Sequence, residues 1–183
     1  MLVRCGDRID AGAAEEEAEP DGAVSERFDI IALLHEVTES ARSLAKNKPV
    51  TVMDVSFPGP VVIHSDAAKI RRIMTELMSN AVNFTDRGRI ALIMSRDDDE
   101  LKLTVADTGR GMPAEQINSV LEMSDYGYDI EMNGPASSGL GLRIVNALVK
   151  KIDGMLAIAS KPGEGTRFEV LLPTGRERTN RDG

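Results

Sequence analysis

Glu76, Asn80 and Asn83 stand four and three residues apart in the run TELMSNAVNFT, a spacing that puts their side chains on one face of a helix. Asparagine suits a helix interior poorly and gives up as much as about 0.7 kcal/mol of propensity relative to Ala. An amide oxygen at Asn80, one turn from the Glu76 carboxylate, could ligate a hard cation such as Mg2+ that keeps several of its waters. A solvated polar face has the same spacing, and Lys69 and Arg72, which fall in the same sector, fit that account.

Two further places break local rules. In LKLTVAD, Leu101, Leu103 and Val105 share a parity, so a strand turns all three to one side and Asp107 with them. A carboxylate that finishes an apolar row needs donors or must take up a proton. The following TGRGMP supplies backbone N–H groups and a chain reversal, so an Asx-type turn at a strand end is one reading. The other is that Asp107 awaits a donor from a ligand, such as the exocyclic amine of adenine. In SSGLGLRIV, Gly139, Leu140 and Gly141 open an otherwise apolar helix. Glycine there lets backbone amides approach an anion at a helix N-terminus, or simply makes a tight loop-to-helix joint. Ile144 stands where a dinucleotide fingerprint needs its third glycine, and the chain has neither a Walker-type loop nor a Gly-x-Ser-x-Gly elbow.

The elements that must position these residues follow from periodicity. Ile30, Ile31, Leu33, Leu34, Val37, Ala41 and Leu44 fall at helical spacing after Asp29, a plausible N-cap, and Asn47, Lys48 and Pro49 end that helix. VTVMDVSF and VVIH read as short strands. Ser65 and Asp66 can cap a second helix, with Ile70, Ile73, Met74, Leu77, Met78, Ala81 and Val82 on its apolar side. RIALIMS and LKLTVAD form a hairpin across RDDDE, and a further helix starts at Pro113. GLGLRIVNALVKKIDG is a long helix closed by Gly154, and MLAIAS and TRFEVLL make a last hairpin around KPGEG. Helices and hairpins alternate without repeated strand-helix-strand units. The expected fold is an α/β two-layer sandwich: a mixed, mostly antiparallel sheet of about five strands, covered on one face by about three helices.

The chain has 183 residues and a formal net charge of -8. That balance disfavours a nucleic-acid groove or a basic membrane patch, which need clustered Lys and Arg. The single cysteine, Cys5, cannot make an internal disulfide, nor build a zinc site with the distant His35 and His64. No apolar run reaches the roughly 18 residues of a membrane span, so a cytoplasmic location is expected. Residues 1–25, acidic and rich in small residues, are expected to be a disordered linker, 26–173 one domain and 174–183 a flexible tail.

Taken in order, a helix with Glu and Asn, a strand ending in DTGRGM, a loop-rich stretch, GLGL and then GEGTRFEVLLP resemble the catalytic ATP-binding domain of sensor histidine kinases. That family shares the Bergerat fold of the wider GHKL group with DNA gyrase, Hsp90 and the MutL proteins. The resemblance covers about Phe28 to Pro173. It implies that Asn80 holds the Mg2+ bridging the ATP phosphates, with Asn83 beside it in the same box. It makes Glu76 the candidate to orient or accept a proton near the γ-phosphate. Asp107 would accept from the adenine amino group, Gly109 and Gly111 would let the chain pass close to the base, and Thr166 would help satisfy the same edge. Gly139, Leu140 and Gly141 would bring amides to the phosphates, with an ATP lid between about Met112 and Ser138.

By the same resemblance the phosphoryl group goes to a histidine on a separate helical dimerisation domain and onward to a response regulator, the isolated domain being a monomer. His35 with Glu36 has the look of an acceptor dipeptide, but it sits in what resembles the first helix of the ATP-binding domain. Two departures stand out: Asn83 occupies a position where the family commonly has Lys or Arg, and Gly111 to Leu142 contains neither. A GHKL regulatory module that signals by contact, and a stand-alone protein-serine kinase like the anti-sigma-factor kinases, are the alternatives.

Overall fold

The computed structural model describes residues 2–5, 25–96, 100–122 and 140–173. The short strand β2 (Glu26–Asp29) runs into helix α1 (Ile30–Leu44). Asp29 ends the strand and caps the helix: its Oδ1 accepts from the N–H of Ile31 at 3.0 Å and of Val61 at 2.9 Å. Six of the seven apolar residues expected on α1 are buried; Leu44 is 61% exposed, because its helical angle is right but nothing covers the last turn. After β3 (Val50–Val55) and β4 (Val62–Ser65), Asp66 caps α2 (Ala67–Phe84) by accepting from the Lys69 N–H at 2.8 Å. All seven residues expected on the apolar side of α2 are buried.

Strands β5 (Gly88–Arg96) and β6 (Glu100–Asp107) form the expected hairpin; the Asp97 to Asp99 turn lies outside the described residues. Helix α3 (Ala114–Glu122) follows, then α4 (Leu140–Lys151) and the hairpin of β7 (Met155–Lys161) and β8 (Gly165–Pro173). Gly154 does not close α4 through a left-handed backbone. Asp153 takes that conformation, at φ 53°, and Gly154 is required because a Cβ there would stand 2.9 Å from the Leu171 carbonyl oxygen.

With β1 (Leu2–Cys5) at its edge, the main sheet has the order β1-β7-β8-β6-β5-β3, in which only β3 and β5 are parallel. Its five strands from β3 onward match the expected sheet. The sixth, β1 (Leu2–Cys5), pairs antiparallel with β7, so these four residues are strand where a disordered linker was expected. Strands β2 and β4 form a separate antiparallel pair. Helix α2 packs between α1 and α4 and over β5 and β6, which makes it the centre of the helical layer. No described helix is long and apolar enough to cross a membrane.

The C-terminal end of α2 has no basic residue in its last turn and no glycine cap. Lys48, from the loop after α1, supplies the missing donor: its Nζ bonds the carbonyl oxygens of Val82 at 2.6 Å and Thr85 at 3.3 Å. Lys48→Met, which keeps the stem and removes the cation, is expected to cost about 1 kcal/mol, read as a lower urea midpoint with an unchanged slope.

Candidate functional site

Asp107 is the last residue of β6, and register decides what it faces. It lies directly opposite Thr166 of β8, which in turn lies opposite Ser160 of β7. Directly opposed residues point to the same face, so the three side chains form a row across three strands. Asp107 Oδ1 accepts from the N–H of Gly109 at 2.8 Å and of Thr166 at 3.3 Å. The Asx-type turn is therefore real through Gly109, and the Thr166 donor from β8 falls on the same oxygen. Oδ2 remains an acceptor on a residue that lines a cleft of about 720 Å³ open to solvent. Burial pushes the Asp107 carboxyl above its ordinary value of 3.8, against the opposing pull of the Gly109 and Thr166 donors.

The cleft runs between α2 and the loop after β6. Asn80, Ala81 and Phe84 line it from α2, Arg110 to Met112 from the loop, Gln116 from α3, Gly141 and Leu142 from α4, and Thr166 and Phe168 from β8. At the α4 end, helix crosses helix closely: a Cβ on Gly141 would stand 3.0 Å from Glu76 Oε2 and 3.6 Å from Asn80 Nδ2. Glu76 and Asn80 thus sit where α4 begins, and Arg72 bonds Glu76 Oε1 at 2.8 Å from one turn below.

Of the sequence-predicted residues, Asn80, Asp107, Gly111, Gly141 and Thr166 come together in the cleft, with Glu76 at its α4 end. Asn83 is exposed and does not line it. Leu140 begins α4, while Gly139 and the lid residues 123–138 lie outside the described residues. Gly109 and Gly111 have an account that needs no ligand. A Cβ on Gly109 would stand 2.2 Å from the Phe84 carbonyl oxygen, and one on Gly111, at φ +67°, 2.1 Å from that of Lys161. Lys69 is tied to Asp66. His35 lies mid-helix in α1, its Nδ1 3.1 Å from Asp54 Oδ2.

Sequence reasoning missed Arg110, Phe84, Gln116 and Phe168. Arg110 immediately precedes the stretch without cations, and its guanidinium lies 4.4 Å from the Phe84 ring centroid at the cleft. The alternating apolar pattern of FEVLL could have flagged Phe168 as facing the same side as Thr166.

The sequence profile of the histidine kinase-, DNA gyrase B- and HSP90-like ATPases matches residues 65–176, which hold α2, the β6 loop, α4 and the β7–β8 hairpin. The chain belongs to this ATPase family. Its relatives include the sensor histidine kinase RcsC of Escherichia coli K12, 35% identical over 62% of this chain and 12% of RcsC. Another is the probable sensor histidine kinase TcrY of Mycobacterium tuberculosis, 38% identical over 63% of this chain and 24% of TcrY. The chain thus spans a small part of the length of these relatives. Among solved structures, full-length ShkA in complex with AMPPNP superposes with a TM-score of 0.69 at 28% identity, over 85% of this chain and 32% of that one. The catalytic domain of the histidine kinase ThkA, at 16% identity, shares the fold with a TM-score of 0.67 over 82% of this chain and 95% of that one. The two-layer α/β sandwich is that of histidine-kinase ATPase domains.

A half-buried carboxylate such as Asp107, with its pKa raised, weakens the fold once ionised. The penalty is absent below the ordinary value of 3.8, grows as pH rises through the raised value, and is complete above it. Asp107→Asn keeps an oxygen for the Gly109 and Thr166 donors and removes the charge. Urea midpoints of variant and parent are expected to coincide below 3.8 and to diverge in favour of the variant toward neutrality.

Proposed function

We propose that this domain binds Mg-ATP and supplies the γ-phosphoryl group to a histidine on a helical dimerisation domain outside this chain, in a kinase that feeds a response regulator. The observation that carries the reading is Asp107: a carboxylate at the end of an apolar row, with one oxygen saturated and the other an acceptor at a cleft. That acceptor suits an exocyclic amine. A purine held there directs its phosphates toward the other end of the cleft, where Asn80, Glu76 and the first turn of α4 meet.

Asn80 and Glu76 offer an amide and a carboxylate oxygen, hard donors one helical turn apart. Gly141 leaves the space beside them free of a side chain. This small donor set fits a cation that keeps several waters and takes its remaining ligands from phosphate oxygens. When bound, Mg2+ neutralises charge on the triphosphate. The amides at the start of α4 add donors to the same oxygens. Glu76, oriented by Arg72, is placed to position the attacking group or to accept its proton. Arg110 is the one cation among the described residues that line the cleft, so the acidic composition of the lid leaves neutralisation chiefly to the metal and the helix amides.

A second reading, a regulatory module that keeps the fold without turnover, is favoured by the exposure of Asn83 and the scarcity of cations at the cleft. Phosphohistidine trapped on a supplied helical domain would rule it out. For nucleotide binding, calorimetric titration with Mg-ATP is expected to show a single site. Asn80→Ala, which improves helix propensity and so keeps the fold, should weaken that site at least about tenfold, or 1.4 kcal/mol. No heat at millimolar nucleotide with the domain folded would refute the proposal.

A further inference from the structure

Ser160, at the end of β7, has three hydrogen-bond contacts and only one proton to give. Its Oγ is 2.8 Å from the Met112 amide nitrogen, 2.9 Å from the Gly165 carbonyl oxygen and 2.9 Å from Thr166 Oγ1. The Met112 N–H can only donate and the Gly165 carbonyl can only accept, so the Ser160 proton goes to Gly165. The remaining contact is then a hydrogen bond only if the Thr166 hydroxyl donates to Ser160. No other assignment satisfies all three, and this one fills both lone pairs and the single donor of the serine. Thr166 is 8% exposed and lines the cleft, and its Oγ1, with the proton given to Ser160, keeps its lone pairs for acceptance.

We propose that Ser160 is a positioning residue that fixes the polarity of the base-reading edge: by accepting the Thr166 proton it turns Thr166 into a pure acceptor beside Asp107. This rests on the nucleotide reading above and deepens it. With the Thr166 proton committed, the Asp107–Thr166 edge presents acceptors alone, Oδ2 of one and Oγ1 of the other. Such an edge welcomes an amino group with two N–H bonds and repels a carbonyl oxygen in the same position. Discrimination between 6-amino and 6-oxo purine nucleotides therefore depends in part on a residue that need not touch the base. The Met112 N–H bond also connects this polarity to the first residue after the DTGRG loop, where the lid begins.

The experiment compares ATP with ITP, which carries oxygen in place of the 6-amino group, by calorimetric titration of the full chain with Mg2+ present. The parent is expected to prefer ATP. In Ser160→Ala the Thr166 hydroxyl is free to donate into the cleft, and the ATP-over-ITP preference should fall about tenfold, because discrimination by a built polar edge is lost when its polarity can invert. Ser160→Thr, which keeps the hydroxyl, should restore the preference. Thr166→Val should itself lower the preference by removing an acceptor, and in that background Ser160→Ala should change it no further. If Ser160→Ala weakens both nucleotides equally, or if Thr166→Val leaves the preference intact, Ser160 is only structural and the proposal fails. A folded parent that binds neither nucleotide overturns the nucleotide reading itself, whereas a discriminating parent whose preference survives the serine substitution overturns this inference alone.

Discussion

A carboxylate at the end of a buried strand is the constraint around which this domain is arranged. Asp107 cannot stay ionised in an apolar setting without donors, and the chain provides two from very different separations in sequence, the Gly109 N–H two residues on and the Thr166 N–H from β8. The first forces the loop after β6 to turn back at once. The second requires β8 to stand beside β6 in the register that opposes Asp107 to Thr166. Gly165 has to lack a side chain for that approach, since a Cβ there would stand 2.0 Å from the Asp107 carbonyl oxygen. The same contacts that hold the carboxylate build the wall of the cleft, so stability and recognition compete for one residue.

How much of this was legible in the sequence depends on the range of the interaction. The apolar face of α2 could be read to the residue, because helical periodicity is a local property and every position on that face is covered. Leu44 shows the limit: its phase on α1 is correct, but phase says nothing about whether another element reaches that far. The four-residue strands β1 and β2 were missed because their identity comes from distant partners, Leu156 to Ala159 for one and Val62 to Ser65 for the other, and their own composition gives no sign of it. Asp107, Asn80 and Gly141 were visible as violations of local rules. Arg110, Phe84 and Ser160 violate nothing locally, and only the fold makes them neighbours of the cleft.

The glycines of the DTGRG loop show how a motif and its cause can differ. Their spacing resembles a surface shaped for a ligand, yet the atoms a side chain would strike are carbonyl oxygens of Phe84 and Lys161. The loop is pressed between the end of α2 and the β7–β8 turn, fastened there by the Arg110 N–H on Phe84 at 3.1 Å and the Gly163 N–H on Arg110 at 2.7 Å. The net charge of -8 has a comparable resolution. Lys69, Arg72 and Lys48 are each committed to acids or carbonyls of the fold, which leaves Arg110 as the one cation that lines the cleft among the described residues.

The attachment of the Phe84 carbonyl to the Arg110 loop gives α2 the character of a ruler. One end of the helix is spliced into the loop that follows Asp107, and Asn80 and Glu76 lie along it, one and two turns back. Each residue of a helix advances about 1.5 Å and turns about 100°. Losing or gaining one residue between Asn80 and Phe84 would therefore rotate the amide away from α4 altogether rather than shift it slightly. The interval between the two ends of the cleft is quantised by helical geometry, and sequence drift can change what stands on the helix far more readily than how many residues it counts.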